Sequence, residues 1–219
     1  MGCCFHTFAP MEQKHQQIIE RSFELFYRYG IKSVSMDDIA REMGMSKKTL
    51  YQYINDKKEL VVEVVLYMRT VMEEMVSVFS DTSLNAVEQH FAYWDRLDRR
   101  FANCKPTFLY DLRKYYPAIL KEINNWKKTT FYNIHYLNME QGKKEGFYRT
   151  DIDAAIISKI MVGYHLFIFD PINELFSDAE LTEKKTFEET FKYHFYGICT
   201  PTGIEEVLKV ANQSHRITQ

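Results

Sequence analysis

Four lysines, Lys47, Lys48, Lys57 and Lys58, stand within residues 46–58 against Asp56 alone. Thr49, Tyr51, Gln52 and Tyr53 are interleaved with them. These residue types suit a polyanion with readable edges. Ammonium groups and phenol hydroxyls reach phosphate oxygens, and a Gln amide pairs with adenine in a major groove. Lysines alone would describe an ordinary solvated helix face, but two tyrosines and a glutamine are an odd choice for solubility. The charge is also local. The whole chain carries −2, yet residues 11–58 hold nine Lys or Arg against seven Asp or Glu, a balance of +2 that leaves −4 elsewhere. A small basic reading surface on a mildly acidic protein is the expectation.

The flanking residues say how that segment is held. Ile18, Ser22, Leu25, Phe26 and Tyr29 recur at helical spacing and predict a helix over 12–29, stopped by Gly30. Ser35 with Asp38 three residues on forms a capping box for a second helix, whose inward face is Ile39, Ala40 and Met43. After the turn Gly44-Met45-Ser46, Ser46 caps a short third helix, 47–53, with Leu50 turned inward. Two short helices, a tight glycine turn and a small residue at the crossing are the spacing of a helix-turn-helix. Asp56 and Glu59 then open a fourth helix reaching about Ser80. Further helices are expected near 84–102, 107–115, 117–140, 151–169 and 180–198, with a short one around 203–211.

Few glycines (8) and prolines (5) and 46% hydrophobic residues fit an all-helical globular chain of 219 residues. No stretch approaches the roughly 20 uninterrupted apolar residues of a membrane span. The nearest, 154–169, carries Lys159 and His165. The start lacks a charged region followed by an apolar one, so no secretory signal is expected, and Met11 reads as the natural start after a disordered or non-native extension, 1–10. Cys3, Cys4, Cys104 and Cys199 form no framework and no metal spacing, which points to a reducing cytoplasm. His90, His135, His165 and His194 fall on different predicted helices without i, i+4 pairing, so no metal is expected. No phosphate loop, nucleophile elbow or carboxylate pair stands out, so neither a cofactor nor an enzyme is expected.

Residues 18–60 resemble the DNA-binding domain of the tetracycline-repressor (TetR) family. Ile18, Ser22, Leu25, Phe26 and Gly30 match its first helix. Ile39-Ala40 and Gly44-Met45-Ser46 match its second helix and turn, and Thr49-Leu50-Tyr51, Tyr53, Lys57 and Leu60 match its third helix and junction. Ile54 stands where the family usually has Phe, at a packing position. More weakly, Gly142 to Arg149 with Asp151-Ile152-Asp153 looks like the turn before the family's penultimate long helix. Tyr196-Gly197-Ile198 and Gly203 echo the end of its last one.

The resemblance implies an all-α chain: a three-helix helix-turn-helix DNA-binding domain, 11–55, followed by a larger helical ligand-sensing and dimerisation domain, 56–219. Lys47, Lys48, Thr49 and Gln52 are assigned to the DNA groove. Tyr51, Tyr53 and Lys57 are assigned to its backbone, and Ser35, at a helix start, to a phosphate. The family further implies a homodimer joined by a four-helix interface. Here that means the helix 151–169, apolar nearly all round, and the last long helix, with Gly163, Tyr164, Phe167, Phe187, Phe191 and Phe195 at the contact. Two recognition helices about 34–36 Å apart would read a palindromic operator.

A small apolar or aromatic effector is expected between the fourth helix and the aromatic stretch 84–140, against Met68, Met72, Trp94, Tyr110, Trp126 and His135. The expected function is a transcriptional repressor modulated by that effector. The rival reading is a helical ligand carrier or enzyme that retains an N-terminal DNA-binding module. A regulator that works through a protein partner without any ligand is a further one.

Overall fold

The computed structural model describes residues 10–101, 106–168, 173, 175–177, 179–180 and 183–214. Side chains 10, 11, 98, 100, 101, 106, 165, 168, 184, 187 and 214 lie outside the description. Regular structure among these residues is helical, apart from one isolated antiparallel bridge between Tyr148 and Cys199. The helices are α1 (Pro10–Tyr29), α2 (Met36–Glu42), α3 (Lys47–Leu50), α4 (Lys57–Val76), α5 (Ala86–Phe101), α6 (Pro106–Tyr115), α7 (Pro117–Lys144), α8 (Ala154–Gly163), α9 (Lys184–Ile198) and α10 (Pro201–Ser214). A 3₁₀ turn, Ser77–Ser80, ends α4, and a π turn, Tyr164–Ile168, extends α8. None of the described helices is long and apolar enough to cross a membrane.

The chain divides into two compact units, one comprising Met1–Val71 and Asn103–Ile119, the other Met72–Ala102 and Leu120–Gln219. The boundary thus falls inside α4, later than the expected junction at 55, and α6 belongs to the first unit. That unit's core is apolar: Ile18, Phe26, Ile39, Leu50, Ile54 and Leu60 are fully buried. Ile54 fills its position as a packing residue, and Ser22, a small side chain, is buried on α1.

The core of the second unit joins Val87 and Phe91 of α5 and Met139 of α7 to Phe191 and Phe195 of α9 and Val207 and Val210 of α10. A buried polar layer crosses it. Asn138 Nδ2 donates to Ala86 O and to Gln89 Oε1, both at 2.9 Å, and the Tyr148 hydroxyl donates to Asn138 Oδ1 at 3.3 Å. Paired in this way, the amides cost little to bury and fix the register of α5 against α7. Tyr148 lies against Gly142 so closely that a Cβ there would stand 2.1 Å from the ring. Only glycine fits.

Candidate nucleic-acid interface

Local chemistry sets the helix-turn-helix. Ser35 Oγ accepts from the Asp38 N–H at 3.1 Å while Asp38 Oδ2 accepts from the Ser35 N–H at 2.9 Å, a complete capping box. Gly44 follows α2 with φ +62°, a left-handed conformation that costs glycine little. Ser46 Oγ accepts from the Thr49 N–H at 3.0 Å and starts α3. The α-helix proper ends at Leu50, earlier than the expected 53. It tightens into i to i+3 bonds, with the Gln52 N–H donating to Thr49 O and the Tyr53 N–H to Leu50 O. At the next junction Asp56 Oδ1 accepts from the Glu59 N–H, whereas Glu59 reaches back one residue further than a capping box would, to Asn55.

Around fully buried Leu50, the expected DNA residues turn outward. Lys47, Lys48 and Gln52 are exposed, Tyr51 is 41% exposed, and Thr49 and Tyr53 are half-buried. Lys47 Nζ sits 2.9 Å from Asp37 Oδ1, and that contact holds its pKa above the usual lysine value. Exposed ion pairs of this kind are weak, so a phosphate can replace the carboxylate.

Two members differ from expectation. Ser35 Oγ caps α2 and its hydroxyl proton goes to Asp38 Oδ2 at 2.6 Å, so donating to a phosphate would mean giving up that second bond. Lys57 is half-buried, its ammonium 6.0 Å from the centre of the Phe26 ring. Desolvation lowers its pKa, and Asp111 and Asp38 partly restore it. It is anchored where it stands.

Sequence reasoning missed Asp111 on α6. This nearly buried carboxylate accepts from the Lys32 N–H at 2.7 Å, in the turn between α1 and α2. Gly30, with φ +83°, opens that turn, and a Cβ on it would come within 3.1 Å of the same carboxylate. No local signal links positions 79 residues apart.

The six residues expected around an effector are divided between the two units. Met68 is buried in the first unit, where the Tyr27 hydroxyl donates to its sulfur at 3.3 Å, and Tyr110 lies exposed on α6. Trp94 packs against the core of the second unit and beside Tyr93. His135 is buried and stacked on His90, centroids 5.6 Å apart. Only Met72 lines a cavity, with Tyr93, Leu97, Lys127 and Phe131, and Trp126 stands behind the Phe131 ring at 6.2 Å. Tyr93 with Leu97 and Lys127 with Phe131 are i, i+4 pairs, a signal the sequence did contain.

Three of the four histidines converge, contrary to the sequence reading, since His194 also approaches His90, centroids 5.9 Å apart, while the side chain of His165 lies outside the described residues. Among the described residues no group of three His, Cys, Asp or Glu could hold a metal ion.

At the expected dimer contact, Phe191 (6% exposed) and Phe195 (1%) are core residues of their own unit and present no surface to a partner. Helical periodicity had not distinguished an inward from an outward apolar face. The outward side of α9 carries Tyr193 (74%) and Tyr196 (61%) instead. Tyr164 and Gly163 are half-buried, Phe167 is exposed, and the side chain of Phe187 lies outside the described residues. Burial raises the Tyr164 pKa, and Tyr193 adds to the shift.

Residues 18–64 match the family described as bacterial regulatory proteins, tetR family. The HTH-type transcriptional regulator SrpR of Pseudomonas putida is 35% identical over 55 residues, 25% of this chain and 26% of that protein. The uncharacterized HTH-type regulator YvaF of Bacillus subtilis is 29% identical over 102 residues, 46% of this chain and 53% of its own length. The matches thus span between a quarter and about half of these relatives. Among solved structures, CprB of Streptomyces coelicolor, in complex with its biological operator sequence, aligns over 95% of this chain and 100% of its own, with TM-score 0.67 and 16% identity. A regulator from Cytophaga hutchinsonii aligns over 85% and 99%, with TM-score 0.65 and 19% identity. At these identities the likeness establishes the all-helical fold of a helix-turn-helix domain with a larger helical partner.

Proposed function

We propose that this chain, whose residues 18–64 match the bacterial tetR regulatory family, works as a homodimeric, operator-binding repressor controlled by a small molecule. The carrying observation is the division of α3 and its turn. Leu50 is fully buried in the domain core, while Lys48, Tyr51 and Gln52 face outward. An apolar anchor beneath and donors above is what a helix needs to enter a major groove rigidly. Lys48 and Gln52 read base edges, and Tyr51 and Lys57 hold the backbone.

Dimerisation rests on the outward faces of α8 and α9. Ile156, Ile160, Phe167, Tyr193 and Tyr196 are exposed large side chains, and such surface calls for a partner. A second copy meets it isologously, which makes the operator a palindrome. Effector control rests on the cavity beside Met72. Any ligand there must favour the released state over the bound one, since equal affinity for both shifts nothing.

The test begins with duplexes enriched by the full chain from a random-sequence pool, followed by a small-molecule screen on the enriched complex. Enrichment of a two-fold-symmetric site, released by at least one compound, is the expected result. Operator binding that survives the whole screen would remove effector control. Turnover of a bound compound would favour the carrier or enzyme.

A further inference from the structure

Inside the second unit, a cavity of about 140 Å³ opens between the end of α4, α5 and α7. Met72, Met75, Val76, Leu97 and Phe131 give it apolar walls, and Tyr93 and Lys127 are the lining residues that carry a polar group. Each long helix contributes one apolar and one polar side chain four residues apart: Tyr93 with Leu97, Lys127 with Phe131. Lys127 is the one charged residue among those lining it. The volume is close to the roughly 150 Å³ apolar cavity that accepts benzene, so one ring and a small substituent fill it. Thioethers and ring edges on its walls favour an aromatic body. Lys127 is half-buried, and a partly shielded ammonium group attracts an anion more strongly than a fully exposed one. The buried Tyr93 phenol, whose pKa burial raises, stays a neutral donor at physiological pH.

We propose that this cavity binds a small aromatic monocarboxylate, with its ring between Met72, Met75 and Phe131 and its carboxylate on Lys127. The inference rests on the reading of the second unit as the ligand-sensing part, and it narrows the effector from any apolar compound to an anionic one. Tyr93 donates a second hydrogen bond to the carboxylate. Cations of the same shape are rejected by Lys127, and neutral amides lose the charge-assisted contact.

The test is calorimetric titration of the full chain with benzoate, benzamide and benzylamine. Benzoate is expected to bind about ten-fold or more tightly than benzamide, and benzylamine not at all. Lys127→Met, which keeps the aliphatic stem, should bring benzoate down to the benzamide level, while Lys127→Arg should retain the preference. Leu97→Trp should fill the cavity and abolish both. The benzoate-to-benzamide ratio in the unaltered chain decides the matter even where a variant fails to fold. No benzoate binding at millimolar concentration, equal binding of benzoate and benzamide, or a preference that survives Lys127→Met would overturn the proposal. A parallel anisotropy titration on the enriched duplex separates the two readings. Lys127-dependent benzoate binding that leaves DNA affinity unchanged supports the site and removes ligand control. Operator release by another compound, with no benzoate binding, keeps control and removes this site.

Discussion

Asp111 accepts a hydrogen bond from the Lys32 N–H at 2.7 Å, tying α6 to the turn that introduces the helix-turn-helix. The carboxylate is nearly buried, so the Lys32 N–H takes the place of water it would otherwise hold. Asp111→Ala should destabilise the first unit by about 1–3 kcal/mol, the worth of a hydrogen bond to a charged group. Amide exchange at residues 30–35 should speed up with it. Asp111→Asn keeps an acceptor oxygen and should recover part of the loss. Unchanged exchange in the alanine variant would show that the bond holds nothing.

Gly142→Ala should cost stability despite the helix it sits in. Alanine is better than glycine in a helix by about 1 kcal/mol. The added Cβ, however, would stand 2.1 Å from the ring of Tyr148, which is fully buried and held by Asn138. Overpacking of about 1–3 kcal/mol or more outweighs the gain. Chemical denaturation of the variant checks the sign, and a stabilised protein would mean that the ring can move aside.

The N-terminal third was legible because its signals are local. Ser35 with Asp38, Gly44 and Ser46 each act within four residues, and each behaves as its type dictates. Ser35 has one relation beyond the cap itself, its hydroxyl donating to Asp38 Oδ2. Longer-range relations left no such mark. His90, His135 and His194 come from α5, α7 and α9 and meet only when those helices pack. Phe191 and Phe195 are apolar at helical spacing, which is equally true of a core face and an interface face. Burial settles which.

His194 gives a pH dependence. Burial lowers its pKa from 6.5 to about 4, its ring lying against His90 and Phe195. Between those values the unfolded chain binds the proton that the folded chain refuses. Stability from this group is therefore complete above about pH 6.5 and is lost as pH falls to about 4. The ring keeps some access to solvent, so the loss is on the order of 2 kcal/mol. Urea unfolding of the wild type and of His194→Gln across this range isolates the contribution. Parallel pH profiles for the two would contradict it.

The proposed dimer rests on the outward faces of α8 and α9. Ile160→Glu together with Tyr193→Glu should convert the dimer to a folded monomer, because neither side chain is buried within its own unit. Phe195→Glu should instead unfold the second unit. Sedimentation velocity at micromolar concentration, read beside helical circular dichroism, distinguishes these outcomes. A wild-type chain that sediments as a monomer would remove the interface.

The central claim, that residues 47–53 read DNA, is tested most directly by competition binding across all single-base variants of the enriched duplex at several salt concentrations. Gln52→Ala should flatten the preference at one position per half-site by about 1–3 kcal/mol and leave the others unchanged. Lys57→Ala, checked for folding because its ammonium lies over the Phe26 ring, should weaken every sequence alike and reduce the salt slope by about 1. Base preferences and salt slope that remain those of the wild type in both folded variants would contradict the account.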